Sequence, residues 1–172
     1  MPKQTRSERL VVRPRDRRDA YPKVRLLGAD VGERRIGLAI GDPDSGVVRA
    51  LTTIRRVSPA ADAVTLRRLA DEQGATELVV GLPLLADGSE GSQAALTRAW
   101  ASSIEDSLGL PVVWRDERNT SQAAESRIGA ARRGRSGGPP TAGAMRAYRA
   151  RVDREAAASI VQAELDARKA GA

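Results

Sequence analysis

The 172 residues predict a single α/β domain in which helices cover a mixed sheet. As far as Ile54, three short apolar segments are separated by turn signals, the pattern of an antiparallel meander. Beyond Pro59 the apolar residues recur at helical spacing, and helical stretches then alternate with short apolar runs. The length favours one domain with terminal extensions over two full domains.

Residues 1–23 carry scattered charges, Pro2, Pro14 and Pro22, and little apolar periodicity; they are expected to form a flexible basic tail. The folded domain is expected over residues 24–166, with 167–172 as a C-terminal tail. Val24–Leu27 is the first strand, ending at Gly28, Ala29 and Asp30. After the Gly32 turn, Ile36, Leu38 and Ile40 alternate with Gly37 and Ala39 as a paired strand should. The dense turn signal from Gly41 to Gly46 leads into a third strand over Val47–Ile54. Ala63, Leu66, Leu69 and Ala70 mark a helix that Gly74 ends.

Glu77–Val80 follows as an interior strand, then a loop from Gly81 to Gly91. Ser92 is a candidate N-cap for a helix reaching Leu108 and ended by Gly109. Pro111–Trp114 is another short strand, followed directly by Arg115, Asp116, Glu117 and Arg118. Thr120 is a candidate cap for a helix through Ile128. Residues 132–143, with Gly134, Gly137, Gly138, Pro139 and Pro140, are expected to be loop, and the final helix to begin near Val152. Strand order does not follow from this pattern.

Composition removes several kinds of chemistry. With no cysteine there are no disulfides and no thiolate ligands, which suits the cytoplasm. With no histidine there is no imidazole zinc site and no histidine acid–base catalysis. No segment approaches the roughly 20 apolar residues of a membrane span, so no membrane partner is expected. The N-terminal basic residues precede no apolar segment of the kind a secretory signal needs. The core must be aliphatic and alanine-rich, because Phe is absent and aromatics supply only 2%. Trp100 and Trp114 belong to no aromatic series and are read as packing residues rather than base-stacking platforms.

The formal charge of +7 is unevenly placed. Residues 1–23 hold eight Lys/Arg and three Asp/Glu, and residues 127–154 hold eight arginines against Asp153 alone. The rest of the chain is therefore acidic by five charges. Such polarity would hold a polyanion through phosphate attraction and counterion release. A high-arginine composition that keeps the protein soluble gives the same pattern.

Three acids stand at the ends of separate elements: Asp30 after the first strand, Glu117 after a later one, and Asp153 at the start of the last helix. If they converge they form an oxygen-donor site for Mg²⁺ or Mn²⁺, the only strong all-protein metal site open to a chain without His or Cys. Each has a plainer account. Asp-X-Gly is common in turns, Asp153 can cap a helix, and Glu117 competes with Asp116, since only one of two successive strand residues faces a given side. Arg34 and Arg35 lie beside the acidic edge, where one can grip a phosphate bidentately. Arg118 can pair with Asp116 or touch nucleic acid. Arg132, Arg133 and Arg135 lie in a Gly-rich segment able to close over a polyanion, or simply form a solvated charge run.

Four segments in order resemble the bacterial YqgF family, the Holliday-junction-resolvase-like, pre-16S rRNA nuclease family. They are the run from Gly28 to Ala39; Val79 to Leu84 followed by Asp87-Gly88-Ser89-Glu90-Gly91; Asp116-Glu117-Arg118-Asn119-Thr120; and Asp153-Arg154-Glu155-Ala156-Ala157. The chain departs from the family pattern at Gly41-Asp42, where Ser-Asp is frequent, and at Asn119, where an apolar residue is frequent. The resemblance implies an RNase H-like fold, three antiparallel strands joined by helices to parallel ones. It places Asp30, Glu117 and Asp153 as the catalytic, metal-holding acids. It also implies a cytoplasmic, divalent-metal-dependent nuclease acting on precursor 16S rRNA, within pre-ribosomal particles. A nuclease for branched DNA and a non-catalytic RNA-binding assembly protein are the alternatives. No protein partner has a signature here.

Overall fold

The computed structural model describes residues 24–118, 120–131 and 138–171, with the side chains of residues 120–123 outside the description. Its elements run in the order β1 (Leu26–Val31), β2 (Arg35–Asp42), β3 (Val47–Arg55), α1 (Pro59–Gln73), β4 (Glu77–Leu82), α2 (Ser92–Leu108), β5 (Val112–Asp116), α3 (Thr120–Ile128) and α4 (Ala142–Ala170). The strands form one sheet in the order β3-β2-β1-β4-β5. β1, β2 and β3 pair antiparallel, while β4 lies parallel to β1 and β5 parallel to β4. The expected RNase H-like mixed sheet is therefore present, with β1 at its centre.

The alternation of side chains sorts the strands into two faces. Leu27, Ala29, Ile36, Leu38, Leu78 and Val80 point into an aliphatic core with Leu66 and Leu69 of α1 and Trp100, Ile104 and Leu108 of α2. Leu26, Ala39 and Val79 point the other way and pack on Ala157, Ile160, Val161 and Leu165 of α4. α3 stacks on α4 through Ala124, Val152 and Ala156. Trp100 is buried and Trp114 half-buried against the first core, as packing residues should be.

α4 lies unusually close to the sheet because small residues line its path. A Cβ at Gly37 would overlap the backbone of Asp153, and one at Gly28 or Gly41 would overlap Val161. At these points helix backbone or a short branched side chain rests directly on strand backbone.

Several boundaries differ from the sequence expectation. β1 extends to Val31, so Asp30 lies inside a strand rather than after one. β4 extends through Gly81 to Leu82, into the stretch expected to be loop. Ser92 is the first helical residue of α2, and Gly91 occupies the cap position without a side-chain bond. The largest correction concerns α4, which starts at Ala142 instead of Val152. The Thr141 side chain caps it by accepting a hydrogen bond from the Ala144 amide at 3.1 Å. The segment after Thr141 is rich in Ala and Arg, which favour helix intrinsically but leave no apolar stripe to read. Asp153 is consequently deep within α4, not at its first turn, and gains nothing from free N-terminal amides.

Candidate active site

The strand register decides where Asp30 points. Asp30 is the cross-strand partner of Gly37, and directly opposed residues project to the same face. The Cβ direction at Gly37 leads into the Asp153 backbone, so Asp30 also faces α4. It sits on the central strand, flanked by β2 on one side and β4 on the other. The following turn is held by Gly32 N–H donating to the Arg35 carbonyl at 2.9 Å and by the Arg56 guanidinium donating to the Gly32 carbonyl at 2.9 Å. Arg56 in turn faces the buried Asp62 at 3.8 Å, tying the turn to α1.

Alternation also separates Glu117 from Asp116. Trp114 and Asp116 share one side of β5, whereas Arg115 shares its side with Glu117, which follows the strand. Arg115 forms an ion pair with Glu164 of α4, and a Cβ at Gly81 would overlap both the Glu117 carboxylate and Ile160 of α4. Glu117 therefore faces α4 and lies over β4, the strand next to Asp30. Asp116 points away and binds Arg118 at 2.6 Å.

Asp153 reaches this edge from α4. Its carboxylate accepts from Arg35 Nε at 2.5 Å and from a second guanidinium nitrogen at 3.5 Å. Of the two expected phosphate-gripping arginines, Arg35 is thus committed to Asp153. Arg34 lines the adjacent cleft of about 460 Å³ with Gly32, Glu33, Arg35, Arg149 and Asp153. Arg118 lines a second cleft of about 580 Å³ with Leu84, Ala86 and Asp116, its charge engaged by Asp116. Arg132, Arg133 and Arg135 lie outside the described residues.

Burial and mutual repulsion govern the acids. Asp30 is pushed up to about 7, first by burial and then by the charge of Asp153. Glu117 is pushed up to about 8, first by burial and then by the charges of Asp30 and Asp116. Asp30 is thus coupled to both other acids. Among the described residues, no three acidic side chains stand close enough to hold a metal ion as arranged. Asp153 is instead engaged by the cation of Arg35. The donors themselves fit a hard divalent cation: all are half-buried carboxylates, and Asp30 and Glu117 resist ionisation without a neighbouring positive charge.

Residues 24–167 match RuvX, the Holliday junction resolvase family. The chain belongs to that family. A RuvX relative from Anaeromyxobacter dehalogenans strain 2CP-1, named "Putative pre-16S rRNA nuclease", is 44% identical over 84% of this chain and 98% of its own. A protein of the same name from Chloroflexus aurantiacus is 40% identical over 84% of this chain and 88% of its own. Among solved structures, Thermus thermophilus RuvC in complex with a Holliday junction substrate superposes with a TM-score of 0.51. It shares 14% identity and the match covers 87% of this chain and 98% of that one. The fowlpox virus resolvase, solved with Holliday junction DNA, gives the same TM-score at 10% identity over 84% and 98%. At such identities these two likenesses concern the fold, and they place the RuvX sheet among resolvase sheets.

Sequence reasoning missed two kinds of residue in this RuvX site. Arg149 was hidden because α4 was expected to begin after it; once the helix starts at Ala142, Arg149 stands one turn before Asp153 on the same side. Gly37 was read only as strand alternation, although it makes the room for Asp153, as Gly81 does for Glu117. An isolated glycine inside a strand pattern was the available signal.

Proposed function

We propose that this chain is a divalent-cation-dependent endonuclease that hydrolyses RNA phosphodiesters, with precursor 16S rRNA as its substrate during 5′-end processing in the cytoplasm. The observation that carries the reading is the pair Asp30, inside β1, and Glu117, which follows β5 and lies over the intervening β4: burial raises both, and the charge of Asp30 raises Glu117 further. Such a pair is costly to ionise unless a cation is shared between its members. Asp30, Glu117 and Asp153 would hold Mg²⁺ or Mn²⁺. When bound, such an ion lowers the pKa of a water nucleophile and stabilises charge developing on the phosphoryl oxygens. Asp30 supplies the rigid ligand from the central strand, and Glu117 closes over Gly81. Asp153 is kept in register by α4 and by Arg35. The arginines beside the acids draw in the phosphate backbone. RNA as substrate is supported by the names of relatives at 40–44% identity.

The resolvase-like sheet and the description of the matching family favour one second reading, hydrolysis of branched DNA. The two are compared by incubating the purified chain with precursor 16S RNA and with a four-way DNA junction, in Mg²⁺ and in Mn²⁺, with Asp30→Asn as control. Cleavage of the RNA by wild type, lost in Asp30→Asn, is expected. Cleavage confined to the junction would move the substrate to DNA, and binding without cleavage of either would leave an RNA-binding protein.

A further inference from the structure

Two groups stand out among the arginines of the described structure. Arg67, Arg68, Arg98, Arg115, Arg118 and Arg168 each have a carboxylate within 3.0 Å, and they stand on α1, α2, the end of β5 and the far half of α4. Arg34, Arg55, Arg146, Arg149, Arg151 and Arg154 have no ion-pair partner among the described residues. Arg34 and Arg149 line one cleft, Arg55 is the cross-strand partner of Arg35 at the end of β3, and Arg146, Arg151 and Arg154 stand on the turns of α4 around Arg149. An unneutralised cationic corner on an exposed surface is maintained against self-repulsion, and it raises the local concentration of polyanions.

The cleft of about 460 Å³ opens at this corner. The β1–β2 turn forms one wall and α4 the other, and Asp153 connects the cleft to the acidic site. Arg35 is occupied by Asp153, and Glu33 brings one further negative charge to the lining. The donors left available are the guanidinium groups of Arg34 and Arg149, one from each wall. A guanidinium presents its N–H groups as a planar fork that matches two phosphate oxygens.

We propose that Arg149, with Arg34 across the cleft, binds a backbone phosphate of the nucleic acid and so sets the strand on the β2 side of Asp30. This rests on the nuclease reading above and assigns its binding surface. Arg149 grips a phosphate that does not react, so its contribution is the same in the ground state and the transition state. It lowers KM and leaves kcat alone. Arg35, by contrast, acts through Asp153 as a positioning residue.

The test measures binding of the full chain to a short fluorescein-labelled RNA and to a labelled four-way DNA junction by anisotropy, in EDTA, across a salt series. Arg149→Gln is expected to weaken RNA binding by roughly three- to ten-fold and to reduce the slope of log K against log salt by about 0.7, the value for one single-strand phosphate contact. Arg149→Lys, which keeps the charge, should restore most of the slope. Arg68→Gln, the same loss of charge on α1 at the opposite face, should bind as wild type. In metal-loaded cleavage Arg149→Gln should raise KM with kcat unchanged. Equal affinity and slope for Arg149→Gln and wild type, while wild type binds, would overturn the cleft and leave the nuclease reading standing. Wild type that binds neither probe would overturn both. Stronger binding of the junction with the same dependence on Arg149 would keep the cleft and change only its occupant.

Discussion

Asp30 and Gly37 face each other across the β1–β2 ladder, and the space that a side chain at Gly37 would fill holds the backbone of Asp153. One glycine therefore fixes the relation between two acids that lie far apart in sequence. The central strand carries the first acid, its neighbour leaves the gap, and α4 delivers the second acid into that gap.

Gly37→Ala should consequently damage stability and site together. The added methyl meets helix backbone, which cannot move without shifting α4 as a whole. Overpacking of this kind costs about 1–3 kcal/mol. Urea unfolding should show that loss, and nuclease activity should fall by more than the unfolded fraction explains. A variant as stable and active as wild type would mean that α4 does not rest on β2 at this point.

Gly81→Ala offers the contrasting case. Its methyl meets the Glu117 carboxylate and the end of Ile160, both side-chain atoms able to turn aside. Stability should change by less than about 1 kcal/mol beyond the repacking of Ile160. With Glu117 in its proposed role as a metal ligand, activity should drop by about 10- to 100-fold, the range for disturbing such a ligand's support. A cleavage assay beside a thermal melt separates the two effects.

The pH dependence of stability should carry the mark of the acidic pair. Asp30 and Glu117 titrate in the folded protein at about 7 and about 8, against about 4 in an unfolded chain. Between these values the folded state binds more protons than the unfolded one, so the metal-free protein loses stability as pH rises from about 4 to about 8. Below that window the contribution is fully present, and above it the loss is complete. The effect is on the order of a few kcal/mol. Asp30→Asn should gain on wild type steadily across this range in EDTA. A constant difference between the two from pH 5 to 8.5 would contradict the burial of a titrating Asp30.

Asp62 is a second buried acid, with a structural task. It accepts from the Trp100 indole N–H at 3.1 Å and from the Val57 amide at 3.2 Å, and it faces Arg56. Asp62→Ala would leave the buried Trp100 N–H without an acceptor, free the Val57 amide and deprive Arg56 of its anion. A loss of about 2–4 kcal/mol is expected, with altered Trp100 fluorescence. Because Arg56 also holds the Gly32 carbonyl, residual activity should fall further than that of a core variant remote from this turn.

How much of this was legible in the sequence depended on what each element is made of. β2 and α1 were visible because alternation and helical spacing report directly on burial, as Ile36, Leu38 and Ile40 or Ala63 and Leu66 do. Asp30, Glu117 and Asp153 were picked out by type and by resemblance, and the choice of Glu117 over Asp116 turned on a parity that only the strand's extent could settle. The first ten residues of α4 escaped because alanine and arginine favour helix without marking a buried face. Arg35 beside Asp153 escaped for a different reason. Partners separated by more than a hundred residues meet through topology, and the strand order β3-β2-β1-β4-β5 was not available from spacing.

The placement of Asp153 on α4 has a consequence for the order of synthesis. All five strands, with Asp30 in β1 and Glu117 directly after β5, leave the ribosome before Asp153 does. At about 5–20 residues per second, the interval between Glu117 and Asp153 lasts roughly a few seconds. During that time the glycine-lined face of the sheet is uncovered and the third acid has not been made. The three acids of the proposed site are therefore brought together only once α4 docks on a sheet that has already been made.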